Sequence, residues 1–112
     1  MVDPRHVQAR GRLLEQLTQM PEVQLAVLFG SQAKGQATAR SDIDIGLLLT
    51  AEGEKFRPRI ELALARAARC EVDMVYLDEV PPLLQFQIAR EGIVLLQRSL
   101  HLWSDFCARA MV

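Results

Sequence analysis

The most constraining feature of this chain is an apolar run that stops at a glycine and resumes at a pair of aspartates. Val23 to Phe29 is almost entirely apolar and ends at Gly30. It reads as a buried strand running into a turn. Gly30 has access to positive φ and lets a ligand approach the backbone closely. Ser31 stands where a helix N-cap would, ahead of a short Gln32-Ala33-Lys34 turn stopped by Gly35. A helix N-terminus offers N–H groups and a positive dipole end to a phosphate. Ser31 Oγ would add a hydrogen bond to a phosphate oxygen, and Lys34 would add charge.

With ten residues intervening after Ser31, Asp42 and Asp44 open the next apolar run, Ile43 to Leu49. Side chains alternate along a strand, so both aspartates are expected on one face and Ile43 and Ile45 on the other. Their Cα atoms are then roughly 6.5–7 Å apart, at about 3.3–3.4 Å per residue. Carboxylates at that spacing suit a pair of Mg²⁺ ions, which prefer oxygen ligands and share them with substrate phosphates. Two other motifs fail. Gly30 to Gly35 has the glycine spacing of a P-loop, but Gln36-Ala37 stands where Lys-Ser/Thr is required. An EF-hand loop opening at Asp42 needs Gly at 47 and Glu at 53, where the chain has Leu47 and Gly53.

A third carboxylate stands out further along. Glu71 to Leu77 reads as a strand in which Asp73 is flanked by Val72, Met74 and Val75. A charge in such a run is costly to bury unless paired or bound to metal.

Gly30-Ser31, ten residues, then Asp42-Ile43-Asp44 resembles the signature of the DNA polymerase β nucleotidyltransferase superfamily. The form Gly-Ser-x-Ala-Lys-Gly…Ser-Asp-Ile-Asp resembles the minimal nucleotidyltransferase (MNT) antitoxins, encoded beside HEPN-domain ribonuclease toxins. The likeness covers about Val23 to Leu96. It implies an α/β fold with a polymerase-β-like core, a small mixed sheet flanked by helices. It implies that Asp42, Asp44 and Asp73 are catalytic and hold two Mg²⁺, and that Gly30, Ser31, Lys34 and Ser41 bind the nucleotide, with ATP as substrate. It also implies transfer of AMP to a tyrosine hydroxyl of a HEPN toxin, silencing that partner. Two further readings stay open: a small-molecule nucleotidyltransferase of the aminoglycoside-modifying type, and an antitoxin that works by binding alone.

Composition narrows the field. The 112 residues suit one domain, 1–112, with a single core. Half the residues are apolar, which argues against disorder. A net charge of −1 gives no electrostatic case for a dedicated nucleic-acid binder. Cys70 and Cys107 have neither zinc spacing nor a disulfide framework. Met1 to Arg12 shows no signal pattern, and no apolar run reaches the roughly 18–20 residues that span a bilayer. The expected location is the cytoplasm.

The remaining elements follow from periodicity. Asp3-Pro4 is read as the start of a helix with Val7, Leu14 and Leu17 on its apolar side, Leu13 and Met20 alongside, and His6 as a solvated residue. Thr50 to Glu54 reads as a turn. Lys55 to Arg69 reads as a helix with Ile60, Leu64 and Ala67/Ala68 on one side, Leu62 and Ala63 near it, and Arg57, Arg59, Arg66 and Arg69 on a solvated outer face. Asp78 is expected to cap a helix that ends at Gly92, followed by a strand from Ile93 to Leu96. Ser99 is expected to cap a last helix whose stripe includes Trp103, Phe106 and Cys107. That stripe reads as core, with partner binding as the lesser reading. The order predicts an α/β sandwich whose first two strands are antiparallel.

Overall fold

The Val23–Phe29 run forms strand β1 with the expected bounds, and everything else packs around it. A computed structural model describes residues 4–30 and 43–111. Strands β2 (Ile43–Leu49), β3 (Val72–Tyr76) and β4 (Ile93–Gln97) complete a four-stranded sheet in the order β3-β2-β1-β4. β1 pairs antiparallel with β2 and with β4, while β2 and β3 run parallel, so the sheet is mixed as expected. The helices are α1 (Pro4–Thr18), α2 (Ala51–Glu54), α3 (Arg57–Ala68), α4 (Pro82–Glu91) and α5 (Leu102–Ala110).

Alternation divides the sheet into two faces. On one, Ala26, Leu28, Ile43, Ile45 and Leu47 pack against Ala9, Leu13 and Leu17 of α1 and Ile60, Leu64 and Ala68 of α3. On the other, Leu25, Val27 and Phe29 pack with Leu77, Ile88 of α4 and Phe106 of α5. The last helix therefore spends its stripe on the core. Trp103 stacks on Phe106 with ring centroids 5.6 Å apart, and burial raises the pKa of the Cys107 thiol.

Two arginines tie this framework together. Arg12 of α1 donates from Nε and Nη2 to the carbonyls of Ala67 and Ala68, at 3.0 and 2.7 Å. Arg98, just after β4, donates to Leu17 O at 2.8 Å and to Met20 and Val23 O at 3.2 Å. Each guanidinium satisfies carbonyls at a helix C-terminus, where orphan acceptors and the negative dipole end favour a cation.

Several local expectations are corrected. α1 buries His6, Ala9, Leu13 and Leu17, while Val7 is 54% exposed and Leu14 lies at the surface. The docked stripe is the neighbouring one, and His6 is a buried residue rather than a solvated one. Thr50 to Glu54 is not a plain turn: Thr50 Oγ1 accepts from Gly53 N at 3.0 Å and caps α2. Leu62 points outward, 51% exposed. Asp78 lies in a turn, and Pro81 is the N-cap of α4. Gly92 is extended, with φ −69°, so it is not a left-handed cap. It is needed for space, since a Cβ there would sit 2.6 Å from both Ile88 O and Val27 Cγ1. The N-cap of α5 is His101 rather than Ser99, and the Trp103 N–H donates to Gln97 Oε1 at 3.2 Å.

Arg57 is not part of a solvated row either. It bonds Glu54 at 2.6 Å and Glu79, and its guanidinium lies 3.7 Å over the Tyr76 ring. Those partners raise the Arg57 pKa, and the bond from Arg57 lowers that of Glu79. Tyr76 in turn donates to Glu61.

Candidate active site

The end of β1, the start of β2 and the start of β3 meet at one corner of the sheet. Asp44 is opposite Phe29 of β1 and in parallel register with Asp73 of β3. Residues in register on adjacent strands share a face, about 4.7–4.9 Å apart along the hydrogen-bonding direction. Asp44 alternates with Ile43 and Ile45, which belong to the α1/α3 core, so both carboxylates lie on the opposite face.

Their surroundings differ. β2 is interior to the sheet, and Asp44 is 8% exposed, one of two buried polar or charged side chains among the described residues. β3 is an edge strand, and Asp73 is exposed. The expectation of a costly charge inside an apolar run is thus corrected, because the edge position returns Asp73 to solvent. Its register with Asp44 does not depend on burial.

Gly30 closes the corner. Its φ is +71°, the left-handed region that favours glycine. A Cβ at this position would lie 2.5 Å from Asp44 Oδ2 and 3.2 Å from its Cγ. Glycine is therefore required twice, by the turn and by the carboxylate lying against its backbone. The glycine was expected for its positive φ and for close approach of a ligand, and the contact with Asp44 adds a second reason for it.

Ser31, Lys34, Ser41 and Asp42 lie outside the described residues. Among the described residues no group of three His, Cys, Asp or Glu side chains is arranged to hold a metal ion, and Asp44 and Asp73 are the two members of the expected trio that can be placed. The pair fits a divalent cation nonetheless. Both are hard oxygen donors, and like charges directly opposite on adjacent strands repel unless a counter-charge lies between them. No helix of the described residues is long and apolar enough to cross a membrane.

Comparison with known proteins identifies the family and the fold. The family model described as Polymerase beta, Nucleotidyltransferase matches residues 12–101. No curated protein matches the chain. A crystal structure of a toxin–antitoxin with AMP-PNP contains a chain 26% identical to this one, with a TM-score of 0.70, covering 91% of this chain and 83% of its own. A mutant form of the toxin–antitoxin MntA–HpeT is similar at 24% identity and a TM-score of 0.71, over 91% and 83% of the two chains. The tri-AMPylated Shewanella oneidensis HEPN toxin in complex with MNT antitoxin gives 23% identity and a TM-score of 0.67, over 95% and 83%. The last two show the shared fold. With a family match running from Arg12 to His101 and taking in every strand of the sheet, the chain belongs to the polymerase beta nucleotidyltransferase family.

Proposed function

We propose that this chain, residues 1–112 acting as one unit in the cytoplasm, transfers AMP from ATP to a tyrosine hydroxyl of a HEPN-domain ribonuclease toxin and so acts as its antitoxin. The observation that carries the reading is the in-register pair Asp44 and Asp73 beside the Gly30 turn. Similar solved structures support the reaction and the partner: one holds AMP-PNP, and another pairs an MNT antitoxin with an AMPylated HEPN toxin.

In this reading the acceptor oxygen bonds to the α-phosphorus of ATP. The bond from that phosphorus to the oxygen bridging the β-phosphate breaks, and pyrophosphate leaves. Asp73, exposed at the edge, takes the hydroxyl proton on its carboxylate. Asp42, Asp44 and Asp73 would hold two Mg²⁺, which supply charge neutralisation on the phosphates and lower the pKa of the acceptor hydroxyl. Gly30 lets the triphosphate approach the backbone. Ser31 and Ser41 donate hydroxyl hydrogen bonds to the nucleotide, and Lys34 contributes charge. Most of the acceleration comes from positioning and charge stabilisation.

ATP labelled at the α- or the γ-phosphate distinguishes the readings. The proposal requires α-label, and no γ-label, on the HEPN protein encoded beside this chain. Label on an aminoglycoside alone would replace it with the small-molecule reading. A stable complex with no label on either would leave an antitoxin acting by binding.

A further inference from the structure

A groove between α1 and α3 has no part in this chemistry. It consists of two adjoining hollows of about 260 and 280 Å³ that share Arg12 and Arg69. Arg66 adds charge to one and Arg5 to the other, and Glu15 is the one acidic residue in either lining among the described residues. Four arginines against one glutamate make a cationic strip on a chain whose net charge is −1. Arg12 is already bonded to the carbonyls of Ala67 and Ala68. Arg66 and Arg69 are exposed and present the charge to an incoming group.

The strip lies on the α1/α3 side of the sheet, the face opposite the two carboxylates, and one end of it comes near the edge strand β3. Arg69 has φ 57°, the one non-glycine residue with positive φ among the described residues, and there the chain leaves α3. Cys70, in the groove lining, is followed within three residues by Asp73. Three residues of extended chain span at most about 10–11 Å, so one end of the groove lies close to the edge strand that carries Asp73.

We infer that this groove binds an acidic segment of the polypeptide acceptor and so helps present that acceptor at the edge strand. The inference rests on the reading above that the acceptor is a protein. Guanidinium groups recognise carboxylates through paired hydrogen bonds. Gln8, Gln16 and Gln19 in the same linings offer amide donors and acceptors that suit a peptide backbone. Among the described residues no Phe, Tyr or Trp lines either hollow, and the one ring in them, His6, is buried, so an exposed stacking surface of the kind single-stranded nucleic acid uses is missing.

The test uses the full chain and three labelled probes at low salt: hexaglutamate, hexaglutamine and a uridine hexanucleotide. Hexaglutamate should bind, hexaglutamine should not, and added salt should weaken the binding. Arg66→Glu with Arg69→Glu should weaken it by about tenfold or more. The milder Arg66→Gln with Arg69→Gln pair, checked by thermal melting, guards against a folding defect. Failure of hexaglutamate to bind, or equal binding by folded variants, would overturn the inference. Tighter binding of the uridine oligomer would also overturn it and make the groove a nucleic-acid surface. None of these probes needs nucleotide transfer, so a failure of the AMP-transfer reading would be visible separately.

Discussion

The strand that carries Asp44 serves two different environments. On one face Ile43, Ile45 and Leu47 are fully buried against α1 and α3, and on the other Asp44 lies against the Gly30 backbone and faces Asp73. The first face is closed by apolar packing and by the arginines that cap α1 and α3. The second holds two like charges together at a corner where β3 has no further strand to cover it. Under the proposed function, moving one residue along β2 therefore moves from stability to chemistry. Substitutions on the two faces should separate cleanly into loss of fold and loss of activity.

The largest effect is expected at the corner. Asp44→Asn should reduce AMP transfer by about 10²–10⁴-fold, the usual range for loss of one charged catalytic group, while the folded fraction stays near wild type. Label-transfer kinetics combined with thermal melting measure both. One position along, Ile45→Ala should show the reverse. It should cost about 2–5 kcal/mol in denaturant unfolding, with transfer per folded molecule unchanged. If Ile45→Ala slowed transfer as much as Asp44→Asn at equal folded fraction, the separation of the faces would fail.

Gly30→Ala should blur the line between them. It imposes left-handed strain of about 1–3 kcal/mol and pushes a methyl group into Asp44, so stability and transfer should fall together. Arg98→Ala belongs to the supporting framework. Removing its bonds to the carbonyls of Leu17, Met20 and Val23 should cost about 1–3 kcal/mol in denaturant unfolding and leave transfer per folded molecule intact.

The smallest effect concerns pH. Burial, and then the bond to Glu61, raise the Tyr76 pKa above its ordinary 10.0. A group whose folded pKa is raised contributes stability that is present below the unfolded value and lost as pH rises through the folded one. Melting temperature should therefore fall more between about pH 9 and pH 11 in the wild type than in Tyr76→Phe.

How much of this was legible depends on the range of the interaction. β1 was read with its true bounds because an apolar run meeting a glycine is a local signal. Alternation put Asp42 and Asp44 on one face, whereas the pairing of Asp73 with Asp44 was implied by the family resemblance, because alternation within one strand does not set its register against another. The exposure of Asp73 did not, because whether a strand lies at a sheet edge depends on pairing partners far along the chain. The face of α1 was misread for a similar reason. Helical spacing allows two adjacent stripes, and docking against α3 selects His6, Ala9, Leu13 and Leu17 over Val7 and Leu14. Arg12 and Arg98 were invisible as caps, since their acceptors lie 55 or more residues away. Arg57 looked solvated until the fold brought Glu79 and Tyr76 to it.

The most direct test of the central claim is a double-mutant cycle on the rate of α-label transfer, using Asp44→Asn, Asp73→Asn and the pair at fixed Mg²⁺. If the two carboxylates act as one unit, the double variant should be about as slow as the slower single variant, well short of the product of the two losses. Losses that multiply would mean that Asp44 and Asp73 act independently, and would contradict the account of a single catalytic corner.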